Sequence, residues 1–402
     1  MTVKPRTAEL VLVTPVGDPV GRLSAVPVAT PWWQDIEPVV RAVRDHHGID
    51  VIVLRLLDAE LEQPHGGRVT YLAEVAEPVR TVPRWTGVLD DHPRRHLFAR
   101  PSGPAADLAW ARAKLAERGL RPTTAPTQVR TWNLSSLWRV PVEGQTIWLK
   151  VVPHFFAHEG ALLAHMAGAQ VPVLLGHDDG RMLLAEIVGE DLYAAEMPLL
   201  LDMVNRLVDL QRRWGGRVEE LLALGLPDWR APALGAAITT VIERTRDDIS
   251  AEDRATLVDF VRRLPDRFDD VDRCGLRDTL VHGDFHPGNF RGDGRALTLL
   301  DWADSGVGHP LLDQPAFLDA IPRACVGAVR AHWVQQWSAA VPGSDPARAS
   351  VLLAPIAAAR QAVIYRNFLD TIEPSEQVYH RFDPAKWLTR TAALVRAGMT
   401  SG

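Results

Sequence analysis

The sequence contains the stretch LVHGDFHPGN at residues 280–289, and LLDW follows it at residues 299–302. Apolar residues open the first stretch and polar residues close it. This pattern predicts a short buried strand that ends in a loop of chemically capable side chains, and loops of that kind commonly carry function. The rest of the chain can be interpreted as support for this loop.

Residues 290–300 predict a β-hairpin. Residues 290–291 form the first strand of this prediction, Gly-Asp-Gly at 292–294 forms the turn, and residues 296–300 form the second strand. A hairpin brings its two ends together, so we expect Asp301 to lie beside Asn289. Their carboxylate and amide oxygens suit Mg²⁺, which prefers one or two such ligands together with water and phosphate oxygens.

Asp284 is the remaining acidic residue of the loop. No basic neighbour is evident that would neutralise it, so we expect a carboxylate able to accept a proton from a nucleophile held near the metal. The spacing His-x-Asp-x-x-x-x-Asn matches the protein-kinase catalytic loop, in which the Asp accepts the substrate hydroxyl proton and the Asn binds metal. Asp301 stands where the metal-binding Asp of the kinase Asp-Phe-Gly motif would stand.

The pattern His-Gly-Asp-x-His-x-Gly-Asn, followed by a strand and Asp-Trp, resembles the aminoglycoside phosphotransferase and choline kinase-like family over residues 128–390. The resemblance implies an α+β, bilobal protein-kinase-like fold with a small β-rich N-lobe and a large helical C-lobe. It also implies that Asp284 is the catalytic base, that His282 braces the loop, and that Asn289 and Asp301 bind Mg²⁺. An ordinary polar turn before a hairpin is the alternative interpretation.

Composition narrows the function classes. A formal net charge of −6 over 402 residues, with dispersed Lys and Arg, argues against a general nucleic-acid binder. Two cysteines cannot form a disulfide framework. We find no basic N-terminal segment followed by an apolar run, and no stretch that approaches the roughly 18 apolar residues of a membrane helix. We therefore expect a cytoplasmic protein that binds neither nucleic acid nor membrane.

The sequence predicts four segments. Residues 1–80 form a small α+β cap domain, residues 81–126 a connector with one docked helix, residues 127–188 the kinase-like N-lobe, and residues 189–402 the C-lobe. Residues 41–49 weakly resemble a Nudix helix. Ala42 and His46 occupy places where that family has metal-binding glutamates, so the resemblance implies a degenerate module without hydrolase chemistry.

The N-lobe supplies the candidate nucleotide-binding residues. Lys150 is a lone charge in an apolar strand, and the family resemblance pairs it with Glu159 so that it reaches the α- and β-phosphates. A solvent-facing Lys150 with an unrelated Glu159 is the alternative. The resemblance also places hydroxyls and backbone N–H groups of a hairpin tip over the phosphates, and backbone groups of an interlobe hinge against the adenine. The tip residues are Ser135 and Ser136, and the hinge residues are Glu186 and Val188.

The C-terminal helices are expected to form the acceptor pocket. The candidates for gripping an acceptor are Asp304, Tyr365, Arg366, Asp370 and Glu373. Asp313 is expected to cap a helix. The absence of a long activation segment after Asp301 disfavours a protein substrate.

These observations predict an enzyme that transfers the γ-phosphate of ATP or GTP, with Mg²⁺, to a hydroxyl of a small molecule. The acceptor is expected to be an amino sugar, an aminoglycoside-like antibiotic or a similar compound, and choline, homoserine, nucleoside and macrolide acceptors stay open. A catalytically silent kinase-like protein that binds a nucleotide or metabolite is the competing hypothesis. The oligomeric state is left open.

Overall fold

The computed structural model describes residues 4–62, 64–77, 79, 82–168, 170–293 and 296–400. The predicted turn at 292–294 lies partly outside these residues, because Gly294 is not among them. The chain forms two compact units. The first unit comprises Met1–Gly160, Val173–Glu186 and Leu369–Arg381, and the second comprises Ala161–Pro172, Ile187–Phe368 and Phe382–Gly402.

The described residues contain fourteen strands, of which the first nine in chain order lie in the first unit and the last five in the second. The strands, in chain order, are β1 (Arg6–Val13), β2 (Pro19–Val28), β3 (Ile52–Ala59), β4 (Gly67–Glu74), β5 (Thr127–Trp132), β6 (Ser135–Val142), β7 (Gln145–Val151), β8 (Leu174–Asp178), β9 (Arg181–Ala185), β10 (Glu190–Asp191), β11 (Thr279–Val281), β12 (Phe290–Gly292), β13 (Leu297–Leu299) and β14 (Gly306–Gly308).

Most α-helices of the described residues lie in the second unit, whereas the first two in chain order lie in the first unit and the third and eleventh span the boundary between the two. The α-helices are α1 (Glu37–His47), α2 (Gly103–Ala116), α3 (His158–His165), α4 (Met197–Trp214), α5 (Val218–Ala223), α6 (Ala231–Arg244), α7 (Ala251–Arg262), α8 (Leu264–Asp272), α9 (Gln314–Ala320), α10 (Arg323–Ala340), α11 (Pro346–Thr371) and α12 (Asp383–Thr400). The predicted α+β class is confirmed.

The first sheet has the strand order β2-β1-β4-β3, with β1 and β4 parallel and the other pairs antiparallel. Helix α1 packs on it through Val39 and Val43, which are fully buried. Burying each of these side chains stabilises the fold by about 1.5–3 kcal/mol. A proline in the first turn favours the start of α1, and Gly48 ends it with a left-handed φ of 67°.

The second sheet is antiparallel, with the order β5-β6-β7-β9-β8. Helix α2, from the predicted connector, packs on it through Leu108, Ala111 and Leu115. The expected docking of this helix is confirmed. Apolar positions of α2 recur every three or four residues, so they form one stripe that the sheet covers.

Gln128 joins the two sheets of the first unit. Its side-chain oxygen accepts a hydrogen bond from the Val53 N–H at 2.9 Å, and its amide nitrogen donates to the Val53 carbonyl at 2.7 Å. A side-chain amide thus pairs with the backbone as a neighbouring strand would. The residues before position 80 therefore share one compact unit with β5–β9.

The segment Leu369–Arg381 also packs in the first unit. The Glu376 carboxylate accepts a hydrogen bond from the Leu56 N–H at 2.8 Å. Glu373 is buried and accepts from Arg95 Nη2 at 2.9 Å, with Arg55 Nε at 3.5 Å from its other oxygen. The prediction that Glu373 grips an acceptor is therefore wrong, because both carboxylate oxygens are engaged by buried arginines.

The second unit is built on paired helices and an aromatic core. Helix α4 packs against α10, and α7 packs against α12. Phe285 stacks on Phe317 at 4.8 Å and meets Trp333 edge-on at 5.7 Å. These ring contacts anchor the loop at residues 282–289 in the core of the unit. Within the described residues, α11 alone has the length and hydropathy to cross a membrane; 61% of its most apolar window is buried in the protein, as in a core helix.

Candidate active site

The central loop, residues 282–289, follows strand β11, and its second residue is a glycine at which any side chain would be strained. Gly283 has a φ of 91°, in the left-handed region. A Cβ atom at this position would lie 1.9 Å from the Asp304 carbonyl oxygen. The loop backbone therefore passes directly against the segment that follows Asp301.

The Asp313 carboxylate binds the first two backbone N–H groups of the loop. Its Oδ2 accepts from the His282 N–H at 2.9 Å and its Oδ1 accepts from the Gly283 N–H at 2.8 Å. The expectation that Asp313 caps a helix is wrong, because its side chain makes no capping bond to α9. Asp313 is fully buried, and Gln211 Nε2 donates to it at 3.1 Å. The carboxylate is thus a fixed acceptor for two loop amides.

His282 joins the loop to the end of the hairpin. Its Nε2–H donates to the Leu300 carbonyl at 2.9 Å, and its Nδ1 accepts from the Asp284 N–H at 3.3 Å. The ring meets Trp302 edge-on at 4.5 Å. Burial lowers the pKa of His282, so the ring stays neutral and this pattern of one donor and one acceptor is maintained. The geometry suits the bracing role that the family resemblance implies.

Asp284 has a basic partner that the sequence analysis missed. His286 Nε2 lies 3.5 Å from Asp284 Oδ2. His286 Nδ1 accepts from the Gly288 N–H at 3.0 Å, so the ring proton is held on Nε2, the atom that faces Asp284. The expectation that Asp284 lacks a basic neighbour is therefore wrong. The two residues are only two positions apart, and the sequence offered this signal.

The His286 contact sets the charge of Asp284. Desolvation by the surrounding loop opposes ionisation, but the hydrogen bond and charge of His286 outweigh it, so the pKa of Asp284 is lowered. Asp284 in turn raises the pKa of His286 against the effect of desolvation. The Asp284 side chain is 45% exposed. The loop therefore presents an ionised carboxylate to solvent.

Asn289 and Asp301 lie at the two ends of the hairpin, as predicted. Strand β12 pairs with β13, and the Leu300 N–H donates to the Asn289 carbonyl at 2.7 Å. Asn289 Nδ2 donates to the Asp284 carbonyl at 2.8 Å and to Asp284 Oδ2 at 3.1 Å. Asp301 has a left-handed φ of 58°, a conformation that is uncommon outside glycine and recurs at functional sites.

The donor set at the hairpin ends fits a magnesium ion. Because Asn289 Nδ2 is held by Asp284, the amide is oriented and its Oδ1 is the atom left to meet a cation. No described group of three or more His, Cys, Asp or Glu side chains is arranged to hold a metal. Mg²⁺ does not require such a group, since it keeps several waters and uses one or two protein oxygens.

Lys150 and Glu159 form the ion pair that was predicted in the first unit. Lys150 Nζ, on β7, lies 2.8 Å from Glu159 Oε1 in the first turn of α3. The Glu159 side chain is 2% exposed. A pair this deeply placed fixes the position of the ammonium group, and it depends on both partners.

The hairpin between β5 and β6 differs from its prediction at one hydroxyl. Ser136 is buried, where its Oγ accepts hydrogen bonds from Thr131 Oγ1 and Trp138 Nε1, both at 3.0 Å. The expectation that the Ser136 hydroxyl contacts a phosphate is therefore wrong, because this oxygen is buried and accepts hydrogen bonds within the first unit. Ser135 is partly buried and its Oγ accepts from Trp132 Nε1 at 3.1 Å.

The predicted hinge lies where the chain passes from one unit to the other, between Glu186 and Ile187. Trp148 Nε1 donates to the Glu186 carboxylate at 2.6 Å. Val188 is exposed, and Gly189 follows with a φ of 111°. The adenine contacts of the Glu186 and Val188 backbone stay a prediction.

Two of the acceptor candidates lie near Asp284. Burial raises the pKa of Tyr365, and the negative charges of Asp383, Asp284 and Asp304 raise it further. Asp304 also contacts the loop through Gly283. Arg366 and Asp370 lie on α11, and their roles stay predictions.

Arg360 and Gln361 are further residues of the site that the sequence analysis missed. Arg360 Nη2 donates to the Gly283 carbonyl at 2.8 Å, and Gln361 Nε2 donates to the same oxygen at 3.2 Å. Arg360 is 1% exposed. The available signal was a charged residue inside the apolar run 354–364, which requires a buried partner.

A clamped loop with an ionised aspartate, an oriented asparagine and a second aspartate at a hairpin end is the arrangement of a protein-kinase-like phosphotransferase. Residues 137–352, more than half of the chain, match the phosphotransferase enzyme (APH) family. The chain belongs to this family. The predicted kinase-like fold is confirmed.

Solved structures of several phosphotransferases are similar to this chain. A macrolide 2′-phosphotransferase type I has 16% identity and a TM-score of 0.48, with 72% of this chain and 97% of that chain covered. A macrolide 2′-phosphotransferase from Brachybacterium faecium has 17% identity and a TM-score of 0.47, and the match covers 68% of this chain and 97% of that chain. A choline/ethanolamine kinase family protein from Mesorhizobium loti has 20% identity and a TM-score of 0.49, and the match covers 73% of this chain and 97% of that chain.

No curated protein sequence matches the chain. The family match begins at residue 137, and the weak Nudix resemblance of residues 41–49 finds no support in the comparisons. Family membership supports a phosphotransferase that acts on a small molecule.

Proposed function

We propose that the protein transfers the γ-phosphoryl group of ATP or GTP to a hydroxyl of a small molecule. The observation that carries this proposal is the loop geometry, in which Asn289 Nδ2 lies 3.1 Å from Asp284 Oδ2 while the hairpin places Asp301 at the same end. Membership of the phosphotransferase family supports the reaction class.

Asp284 is the proposed base. Its Oδ2 is held by Asn289 and faces His286, so Oδ1 is the oxygen left to accept the proton of the acceptor hydroxyl. As that proton moves to Asp284, the hydroxyl oxygen forms a bond to the γ-phosphorus. The bond between the γ-phosphorus and the β–γ bridging oxygen breaks, which releases the nucleoside diphosphate. Base catalysis of this kind contributes roughly 10²–10⁴ in rate.

Asn289 and Asp301 would hold Mg²⁺ through Oδ1 and the carboxylate. Bound Mg²⁺ supplies positive charge that offsets the charge of the phosphate oxygens. The Asn289 amide is oriented for this by its two bonds to Asp284, so loop and metal site depend on the same side chain.

Lys150 is the proposed phosphate-binding cation. Glu159 holds its ammonium group at 2.8 Å, which fixes the position of the positive charge that would attract phosphate oxygens. In the same proposal, Ser135 and the N–H groups of the β5–β6 hairpin lie over the phosphates, and the backbone of Glu186 and Val188 binds the base. Backbone recognition of this kind leaves the choice between ATP and GTP to experiment.

The acceptor is proposed to be a hydroxylated amine or sugar, such as an amino sugar or an aminoglycoside-like antibiotic. Support comes from the charges near the base, because Asp304 and Asp284 both act on Tyr365 and an ammonium group would be attracted to them. Tyr365 places an aromatic ring near these carboxylates. These features suit a cationic compound with several hydroxyls.

The test is Mg²⁺-dependent release of ADP or GDP across a panel of amino sugars, aminoglycosides, macrolides, choline and nucleosides. The variant Asp284→Asn should lose roughly 10²–10⁴ in turnover and keep nucleotide binding. Asp247→Asn, on an exposed carboxylate, is the matched control and should behave as wild type. Unchanged turnover in Asp284→Asn would overturn the assigned base, and nucleotide binding without turnover on any acceptor would favour a catalytically silent binding protein.

A further inference from the structure

The peptide group between Gly283 and Asp284 carries the proposed base, and side chains hold it at both ends. The Gly283 carbonyl accepts from Arg360 Nη2 at 2.8 Å and from Gln361 Nε2 at 3.2 Å. The Asp284 N–H donates to His282 Nδ1 at 3.3 Å. Because a peptide group is planar, bonds to its oxygen and to its nitrogen fix the orientation of the whole plane. That plane sets the direction in which the Asp284 side chain leaves the backbone.

This peptide needs an external anchor because it begins at a glycine. Gly283 has a left-handed φ of 91°, and a Cβ atom there would lie 1.9 Å from the Asp304 carbonyl oxygen. The close approach of the two segments therefore favours glycine. A glycine backbone also has more conformational freedom than that of any other residue, so rotation about its ψ angle could turn the peptide and move the Asp284 carboxylate. Contacts from elsewhere in the fold have to restrict this rotation.

Arg360 brings a buried positive charge to this peptide. The residue lies on α11 and is 1% exposed, with its guanidinium carbon 6.0 Å from the centre of the Trp229 ring. Desolvation lowers the pKa of Arg360, and the negative charges of Asp313, Asp304 and Asp284 oppose this effect. A guanidinium group stays protonated in proteins, so the charge is permanent.

Asp313 and Arg360 hold the two backbone groups of Gly283. The Gly283 N–H donates to Asp313 Oδ1 at 2.8 Å, and the Gly283 carbonyl accepts from Arg360 Nη2 at the same distance. One partner belongs to the turn Pro310–Asp313 and the other to α11. Hydrogen bonds to charged groups are roughly twice as strong as neutral ones. Two oppositely charged, buried side chains thus determine the conformation of one flexible residue.

The other donors of Arg360 indicate that stability alone does not explain this residue. Among the described residues, Arg360 Nε and Nη1 have no hydrogen-bond partner, although both atoms are buried. Buried donors without acceptors cost free energy, and the desolvation of a buried ion can exceed its Coulombic gain. An apolar side chain of similar size would avoid both costs. The feature that only a charged donor supplies here is the bond to the Gly283 carbonyl.

We infer that Arg360 is a positioning residue for phosphoryl transfer, which holds the Gly283–Asp284 peptide so that the Asp284 carboxylate meets the acceptor hydroxyl. This inference rests on the proposed function, because the position of Asp284 matters to the rate only if Asp284 is the base. Arg360 acts through the peptide and does not touch the reacting atoms. A displacement of about 1 Å can cost 10²-fold in rate, so the contact governs kcat and leaves nucleotide binding unaffected.

The kinetic test compares Arg360→Met with Arg360→Lys in the full-length protein. Methionine removes the donor and keeps an unbranched side chain, whereas lysine keeps a cationic donor for the Gly283 carbonyl. With an acceptor that the wild type phosphorylates, kcat per folded molecule should fall about 10²-fold in Arg360→Met. The KM for nucleotide should stay within about twofold of wild type. Arg360→Lys should recover part of the lost kcat, which a role in packing alone would not produce.

Amide hydrogen exchange, measured by mass spectrometry without nucleotide, metal or acceptor, reports on the loop itself. In Arg360→Met, residues 280–289 should exchange about tenfold faster or more, the effect of losing a hydrogen bond to a charged group. Helices α4 and α10 should exchange as in wild type. Arg348→Met is the matched control, because Arg348 lies on the same helix, is 56% exposed and pairs with Asp270 at 3.3 Å. It should change neither loop exchange nor kcat.

Three results would overturn the inference. They are unchanged exchange of residues 280–289 in Arg360→Met, faster exchange there with unchanged kcat, and equally faster exchange in the loop, α4 and α10, which would identify a general structural role. A wild-type protein that transfers phosphate to no acceptor would overturn the proposed function and, with it, the role of Arg360 in transfer. The exchange data would still decide whether Arg360 holds the peptide, so the two failures can be told apart.

Discussion

The carboxylate of Asp313 lies 2.9 Å from the backbone nitrogen of His282, although 31 positions separate them in the chain. This contact and the neighbouring one to the Gly283 N–H connect the helical core of the second unit to the first residues of the central loop. The loop therefore takes its position from a buried side chain as well as from its own sequence.

Replacing Asp313 by Asn should destabilise the protein and misplace the loop. An amide has one oxygen, so one of the two loop N–H groups would face an NH₂ group and lose its acceptor. The expected loss in the free energy of unfolding is about 1–3 kcal/mol, measured by urea titration. Turnover per folded molecule should also be lower than in the wild type, because the loop is misplaced in the molecules that remain folded. Asp247→Asn should stay within about 0.5 kcal/mol of wild type, and equal stability of both variants would contradict the proposed clamp.

The pH profile of the reaction should report the Asp284–His286 contact. A base must be ionised, so kcat/KM should be maintained above the pKa of Asp284 and fall as pH decreases through it. His286 lowers this pKa. His286→Asn should therefore move the acid limb of the profile to higher pH, measured with a fixed acceptor and saturating nucleotide. An unmoved limb would show that His286 does not act on the base.

Lys150→Met should reduce turnover by roughly 10²–10³, the effect of removing one charge-stabilising group. It also leaves the buried Glu159 carboxylate without its cation, so the variant should be less stable. The double variant Lys150→Met/Glu159→Gln separates these effects, because the remaining buried group is neutral. Thermal unfolding should show recovered stability, and turnover should stay low. Recovered turnover in the double variant would count against phosphate binding by Lys150.

The arrangement of the central loop was predictable because its polar side chains lie within one short stretch. Strand, loop and hairpin follow one another, so sequence order determines that Asn289 and Asp301 meet. The Lys150–Glu159 pair was predictable from the family resemblance, since a lone charge in a buried strand requires a partner.

The supporting contacts were not predictable, because they join distant segments. An aspartate before a helix is normally a cap, and only the fold shows that Asp313 serves the loop. Arg360 was visible as a lone charge, but its partner Gly283 is 77 positions away. Glu373 was a candidate for gripping an acceptor, whereas its partner Arg95 lies 278 positions earlier in the chain.

The segment that contains Glu373 also carries a pH-dependent contribution to stability. Burial raises the pKa of Glu376 to about 8 from a model-compound value of 4.5. Between these values the folded state holds a proton that the unfolded state releases, so this residue makes the free energy of unfolding decrease as pH rises from about 4.5 to about 8. Glu376→Gln keeps the oxygen that accepts from the Leu56 N–H and removes the titration. The difference in unfolding free energy between variant and wild type, measured by urea titration at several pH values, should therefore grow in favour of the variant over this interval. Glu117→Gln, on an exposed carboxylate paired with Lys114, is the control and should give a nearly constant difference. A constant difference for Glu376→Gln as well would show that this carboxylate is ionised in the folded protein.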